Sequence, residues 1–247
     1  MKYILIMICV LFILPNARAD VVVTQDDEFA LGVTIQGRIT KSDLAALKDK
    51  TFGKNEKVNY FILNSDGGDL DSALKMGTYI RQSYGKNKLG QYVAVPESNS
   101  CLSSCVFLLA AGAVRMVSGK VGIHRPYNGQ DETTTEEGQK KNYKRIESTV
   151  KSYLHKMNIN PSLYEEMINI APSEIRILST AELKHFGLSE DDPYLKEAQA
   201  SKLAKMAGIT KEEYYNREAK IKRCEKEFSS DEKALSNCVV KAMNKPH

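Results

Sequence analysis

Residues 101–112 constrain the fold of this chain more than any other stretch. A polar cluster that contains Ser103 and Ser104 leads directly into an apolar run without a charged residue. This composition predicts a buried helix over residues 102–111. Serine is costly to bury and often marks a helix cap or a functional site. Ser103 is therefore either an N-cap or a group that does chemistry at the N-terminus of this helix.

Short apolar strands and helices alternate around this predicted helix. Runs rich in β-branched or continuous apolar residues predict strands at 21–24, 30–39, 58–63, 92–95, 114–117, 121–123 and 175–178. Apolar spacing and capping residues predict helices at 41–50, 70–80, 133–157, 162–170 and 180–186. This alternation predicts an α/β fold with a mostly parallel sheet.

The N-terminus has the parts of a secretory signal peptide. Lys2 supplies the positive start, residues 3–14 are apolar, and residues 17–19 end in small side chains. We expect cleavage after Ala19 and a periplasmic or secreted protein. An uncleaved anchor is the alternative, although the apolar run is short for a membrane span.

The charge balance gives no reason to expect nucleic acid as a partner. The formal net charge of the whole chain is +4, and removal of Lys2 and Arg18 with the signal peptide leaves +2. We therefore predict an α/β domain over residues 20–193 and a helical extension over residues 194–247.

The cysteines fit export into an oxidising compartment. Four remain after the signal peptide, and they allow three disulfide connectivities. Sequence distance favours a bond between Cys224 and Cys238, which would staple two antiparallel helices in the extension. Zinc binding is the weaker alternative because no Cys-x2-Cys pair or nearby histidine pair is present. We expect no metal and no cofactor.

Three segments together could carry hydrolysis. A serine nucleophile needs a base such as histidine, and backbone N–H groups must face the developing oxyanion. Ser103 begins the predicted buried helix, Gly67-Gly68 follows a strand, and His124 ends a later strand at the edge where α/β sites gather. Taken singly, Ser103 is as typical of a helix cap or core serine as of a nucleophile, and the glycine pair and His124 are more typical of a tight turn and a structural histidine.

The chain resembles the ClpP-type serine peptidases of the ClpP/crotonase superfamily, especially secreted members with a Cys-x-Ser-x-Cys motif. Residues 61–68 are similar to the family segment YINSPGG, and Ser103 with residues 107–112 is similar to SMGAFLLAAG. Residues 123–126 are similar to IHQP, and residues 178–188 resemble LSAPEA followed by YGL. The match covers roughly residues 25–190.

The resemblance implies repeated ββα units around a mostly parallel sheet. It also implies that Ser103 is the nucleophile and His124 the general base. The backbone N–H groups of Gly68 and Ser104 are expected to line the oxyanion hole. The catalytic acid is less clearly matched.

The family's aspartate position falls on Ile175, which cannot orient an imidazole. Glu174 could take that role if the strand is shifted by one residue, or it could be a solvated loop carboxylate.

Gly67 and Arg125 lie within the matched segments, and we expect them to contact the substrate. Loss of the orienting acid typically lowers the rate by orders of magnitude without abolishing activity.

Two further expectations concern the cysteines beside Ser103 and the helix at 133–157. Cys101 and Cys105 at i and i+4 of a helix would lie about 6 Å apart, which a disulfide tolerates. Such a bond would make the site rigid, and two small buried residues are the alternative.

The helix at 133–157 occupies the place of the family's ring-stacking handle, so its apolar stripe could join identical subunits or pack on its own domain. An ATPase partner is not expected outside the cytoplasm.

The sequence favours an exported ClpP-like serine hydrolase, with a peptide or protein as substrate. A ClpP-fold binding or scaffold protein of the cell envelope, impaired in catalysis, is the first alternative. Crotonase-like acyl-thioester chemistry is the second, although it does not explain a matched serine and histidine.

Overall fold

The structure is a computed structural model that describes residues 20–25, 31–51, 58–82, 91–127 and 135–243. The expected signal peptide, residues 1–19, lies outside the described residues. The chain divides into two compact units, with the division between Glu190 and Asp191.

The first unit contains a sheet of eight strands among the described residues. The strands are β1 (Asp20–Gln25), β2 (Leu31–Ile39), β3 (Val58–Gly68), β4 (Tyr92–Val95), β5 (Ser100–Leu102), β6 (Val114–Val117), β7 (Lys120–Ile123) and β8 (Arg176–Ile177). Two pairings are antiparallel, β1 with β2 and β7 with β8, and the others are parallel. The fold is therefore α/β with a mostly parallel sheet, as the sequence predicts.

The long strand β3 connects the two parts of this sheet. Its first half pairs with β4, and Ser65 in its second half pairs with Cys101 of β5. The sequence predicts that the strand ends at Leu63, where the apolar run stops. The strand instead continues through polar residues to Gly68, because its second half still has β2 on one side and β5 on the other. This extension brings the two glycines to the end of β5.

Six helices of the first unit pack around this sheet within the described residues. They are α1 (Asp43–Thr51), α2 (Leu70–Gln82), α3 (Cys105–Ala110), α4 (Glu136–Lys156), α5 (Ser162–Ile168) and α6 (Thr180–Phe186). Every residue of α3 is buried, which explains why its sequence has no polar face. The helix is shorter than the predicted 102–111, because residues 100–102 form β5.

The apolar stripe of α4 packs into the core of its own unit. Ile146, Val150, Tyr153 and Leu154 are buried and belong to the main hydrophobic cluster. The Tyr153 hydroxyl also donates a hydrogen bond of 2.6 Å to the Phe107 carbonyl of α3. The stripe thus packs on its own domain, which is the alternative to joining identical subunits.

A buried arginine joins the C-terminal ends of three helices. Arg115 of β6 is 3% exposed, and its guanidinium donates to the carbonyls of Ala110, Met157, Gly187 and Glu190 at 2.7–3.2 Å. Ala110 ends α3, Met157 follows α4 and Gly187 follows α6. Helix C-termini carry unpaired carbonyls and partial negative charge, so one buried cation satisfies all three.

The second unit contains three helices in the described residues: α7 (Pro193–Met206), α8 (Lys211–Glu227) and α9 (Glu232–Met243). A disulfide joins Cys224 of α8 to Cys238 of α9, as expected from their spacing. Arg217, in the first half of α8, donates to the Met243 carbonyl at the end of α9. These two contacts show that α8 and α9 form the predicted antiparallel hairpin, to which α7 is an addition.

We predict that Arg115→Met lowers the free energy of unfolding by about 3 kcal/mol, because buried carbonyls at three helix ends lose their donor. Arg115→Lys should lose less, since the ammonium keeps the charge but cannot reach all the carbonyls at once. Urea denaturation measures both changes. Arg145→Met is the matched control, because Arg145 is half exposed and its contacts with the Asn142 Oδ1 at 3.0 Å and the Asp71 Oδ1 at 4.0 Å lie at the surface. Equal losses for Arg115→Met and Arg145→Met would contradict the role of Arg115.

Candidate functional site

Ser103 lies in the tight turn between β5 and α3. Its backbone has a φ of 55°, a left-handed conformation that is uncommon for a residue other than glycine. The Ser103 N–H donates to the Gly122 carbonyl of β7 at 2.9 Å. Ser103 is therefore not the N-cap of α3. The residue at the cap is Ser104, and its side chain makes no capping hydrogen bond.

The end of β3 contacts this turn directly. A Cβ atom on Gly67 would lie 2.6 Å from the Ser103 Cβ and 2.9 Å from the Ser104 nitrogen. Gly67 also has a φ of 86°, so both space and backbone conformation require glycine there. The Ser104 hydroxyl donates to the Gly68 carbonyl at 3.2 Å. The glycine pair that the sequence singles out thus lies against the serine pair.

His124 reaches the same turn from the end of β7. Its Nε2 atom lies 2.6 Å from the Ser103 Oγ, and its Nδ1 atom lies 2.9 Å from the Arg125 carbonyl oxygen. His124 as a residue is 8% exposed. The structure thus brings Ser103 and His124 within hydrogen-bond distance, as expected for a nucleophile and its base.

The two contacts of the imidazole determine its tautomer. A carbonyl oxygen only accepts hydrogen bonds, so the Nδ1 atom must carry the proton and donate to Arg125. The Nε2 atom of the neutral ring then has a free lone pair and accepts the proton of the Ser103 hydroxyl. This is the arrangement that a serine hydrolase requires before attack.

Burial lowers the pKa of His124 below its ordinary value of 6.5, and the hydrogen bond to the Arg125 carbonyl, which raises the pKa, does not offset this. The imidazole is therefore neutral at neutral pH. A neutral ring can accept a proton, which is the state that a general base needs.

A disulfide joins Cys101 and Cys105 across the Ser103 turn. Cys101 is on β5 and Cys105 is the first residue of α3, so the bond links a strand to a helix. The assumption that both lie on one helix is wrong, but the expected bond is present, with the two Cα atoms 5.2 Å apart. Both cysteines are fully buried. The bond closes the short loop that contains Ser103.

Glu174 does not reach His124. Its side chain is exposed and forms no hydrogen bond or ion pair within the described part of the chain. The side chain that lines the cavity with His124 is that of the next residue, Ile175, and not that of Glu174. The strand is thus not shifted by one residue, and the Arg125 carbonyl occupies the imidazole Nδ1 position that Glu174 was expected to fill.

Arg125 also differs from its expected role in substrate binding. The Arg125 Nε donates to the Ile168 carbonyl at the end of α5, at 2.8 Å. The Arg125 side chain is only partly exposed and is not among the residues that line the cavity. Arg125 contributes its backbone carbonyl to the site. A sequence identifies side chains and therefore does not indicate which backbone carbonyl takes part in a site.

A cavity of about 700 Å³ opens beside Ser103 and His124. Charged groups line it, namely Arg38, Lys41, Asp66 and Asp69, and none of them bonds to the imidazole among the described residues. Apolar side chains that also line it are Ile39, Leu70, Phe107, Pro126, Tyr127, Met167 and Ile175. Of the predicted site residues, Gly67, Gly68, Ser103, Ser104 and His124 line this cavity.

Both disulfides fit an oxidising or secreted environment. Among the described helices, none has the length and apolar character to cross a membrane. In the same part of the chain, no group of three or more histidine, cysteine or acidic residues is arranged to hold a metal ion.

No family model matches the chain, and no curated protein matches it. Among solved structures, the chain is similar to a mutant of the 1510-N membrane-bound stomatin-specific protease. The two are 20% identical with a TM-score of 0.47, and the match covers 64% of this chain and 75% of that one. A similarity of this size carries no conclusion about what the chain does.

We predict that Gly67→Ala lowers the free energy of unfolding by about 3 kcal/mol, because the methyl group adds a clash with the Ser103 turn to the strain of a positive φ. Gly187→Ala is the matched control. Gly187 has a φ of 81°, but its nearest neighbour to a new Cβ would be 3.8 Å away. Its loss should be about 1 kcal/mol. Denaturation curves compare the two, and similar losses would show that Gly67 does not support the turn.

We predict that the His124 imidazole titrates below pH 6.5 in the folded protein. The unfolded chain then binds the proton first, so the contribution of His124 to stability is lost as the pH falls from 6.5 towards the folded-state pKa. Nitrogen-15 NMR, with the resonances assigned through His124→Gln, measures the midpoint. A midpoint above 6.5 would contradict the prediction.

Proposed function

We propose that the chain is an exported ClpP-like serine hydrolase that cleaves peptide bonds. The observation that carries this proposal is the 2.6 Å contact between the Ser103 Oγ and the His124 Nε2, with the ring held in the productive tautomer. Nucleophile and base come from separate elements, the β5–α3 turn and the end of β7. Both open onto one cavity, where a substrate can enter.

The proposed reaction begins when the Ser103 oxygen attacks the carbonyl carbon of the substrate. The Ser103 proton passes to the His124 Nε2, and the carbonyl oxygen becomes an oxyanion. The bond to the leaving amine then breaks, and the Nε2 proton passes to that amine. Water, deprotonated by His124, hydrolyses the acyl-serine and regenerates the free hydroxyl.

Backbone N–H groups of Ser104 and Gly68 are the proposed donors to the oxyanion. The Ser104 N–H has no acceptor among the described residues and lies beside the Cα of Gly67. The Asp69 N–H bonds to Ile39 on the β2 side of β3, whereas the Gly68 carbonyl bonds to Ser104 on the other side. We expect the Gly68 N–H to face the same side as its carbonyl, towards the Ser103 turn. Gly67, without a side chain, leaves room for substrate backbone.

A catalytically impaired binding or scaffold protein of the cell envelope is the second candidate. The observation that favours it is that, among the described residues, the imidazole Nδ1 contacts a neutral carbonyl and no carboxylate. A charged acid stabilises the imidazolium formed during attack more than a carbonyl dipole does.

We predict that a fluorophosphonate probe labels the wild-type protein and that Ser103→Ala abolishes the labelling. Ser104→Ala is the matched control, because it removes a neighbouring hydroxyl but keeps the backbone N–H that we assign to the oxyanion hole. Labelling should persist in that variant. Mass spectrometry of the labelled peptide identifies the modified residue.

Absence of labelling in folded wild-type protein would favour the binding or scaffold protein. Labelling that persists in Ser103→Ala would exclude Ser103 as the nucleophile. Thioester turnover that survives Ser103→Ala would instead indicate the crotonase-like chemistry.

A further inference from the structure

We propose that Arg125 is a positioning residue, whose side chain and backbone N–H fix its own carbonyl so that the carbonyl replaces the orienting acid of the site. The inference rests on the proposed hydrolase function of Ser103 and His124. It assigns Arg125 a role that differs from substrate binding, and it explains how the imidazole is held without Glu174.

The first step of the argument is that the carbonyl does what an orienting group must do. It accepts a hydrogen bond of 2.9 Å from the His124 Nδ1 and leaves Nε2 to Ser103. The carbonyl belongs to the residue next to His124, so its direction depends on the backbone conformation of Arg125. A freely rotating peptide would not hold the ring in one orientation.

The second step is that Arg125 is fastened at two points to one segment. Its backbone N–H donates to the Ile170 carbonyl at 3.0 Å, and its Nε donates to the Ile168 carbonyl at 2.8 Å. Both carbonyls are at the C-terminal end of α5, where a cation is favoured and acceptors are unpaired. A hydrogen bond with a charged donor is stronger than one between neutral groups.

The third step concerns the next residue. Pro126 is buried and follows Arg125 directly. A proline restricts the residue before it to extended conformations, which narrows the directions that the Arg125 carbonyl can take. The proline ring has no N–H and cannot compete for an acceptor in the site.

Among the described residues, the Arg125 carbonyl is the group that orients the His124 ring through Nδ1. Arg38, Lys41, Asp66 and Asp69 line the same cavity, but none bonds to the imidazole. The Tyr127 ring lies 5.8 Å from the imidazole centroid. A neutral carbonyl fixes the tautomer and adds little to the basicity of the ring, which agrees with a buried histidine that stays neutral.

The test compares Arg125→Met and Arg125→Lys with the wild type. The first variant keeps the carbonyl and the backbone N–H bond to Ile170 but removes the side-chain anchor. The second keeps a donor that can reach the Ile168 carbonyl. We expect the maximal rate of fluorophosphonate inactivation to fall about 10- to 100-fold in Arg125→Met, because a displaced base costs rate. The inhibitor concentration at half-maximal rate should stay unchanged, and Arg125→Lys should recover part of the loss.

Nitrogen-15 NMR of His124 supplies a readout that does not depend on activity. We expect the Nδ1–H tautomer to dominate in the wild type, to mix with the Nε2–H tautomer in Arg125→Met, and to recover in Arg125→Lys. Arg145→Met is the control for removing an arginine, because Arg145 is half exposed on α4. It should change neither the rate nor the tautomer.

Each other outcome overturns the inference. An unchanged rate and tautomer in folded Arg125→Met would show that the anchor is not needed. A higher half-maximal inhibitor concentration at unchanged maximal rate would make Arg125 a substrate-binding residue. If the wild type is not labelled at all, the proposed function fails, and the tautomer measurement still decides whether Arg125 orients the ring.

Discussion

The close approach of Gly67 to the Ser103–Ser104 turn is the constraint on which the site depends. The strand β3 must extend past its apolar segment for Gly67 to reach the Ser103–Ser104 turn. The neighbouring strands β2 and β5 pair with this extension on either side. No side chain fits between Gly67 and the turn. Ser103 adopts its left-handed conformation at this contact, with its hydroxyl 2.6 Å from the His124 Nε2.

The site works with a neutral orienting group. A carboxylate would fix the imidazole and also stabilise its positive charge, whereas the Arg125 carbonyl fixes the ring and contributes only a dipole. The charged group in this arrangement is the Arg125 guanidinium. It does not contact the imidazole but bonds to the Ile168 carbonyl at the end of α5. The same chemistry recurs at Arg115, whose guanidinium satisfies carbonyls at the ends of three helices. Two arginines thus hold helix ends that position the site and the core.

Much of the fold follows from local sequence pattern. The strands and helices of the first unit lie near their predicted places, and α6 begins and ends as Ser179 and Gly187 predict. The exceptions are informative. The sequence shows no break between β5 and α3, because the polar residues at 100–104 are equally good as a helix start. The strand β3 outruns its apolar segment because neighbouring strands satisfy its backbone.

The residue types that carry chemistry were determined by the sequence alone: a serine and a histidine near backbone glycines, and cysteines at spacings that allow bonds. Only the tertiary structure decided what the histidine binds. Ile175 lines the cavity whereas Glu174 does not, and the Arg125 carbonyl takes the position beside the imidazole Nδ1. Every residue has a carbonyl, so no sequence pattern distinguishes the one at Arg125. Its role comes from its position just after β7, where the Ile168 and Ile170 carbonyls at the C-terminal end of α5 hold Arg125 in place.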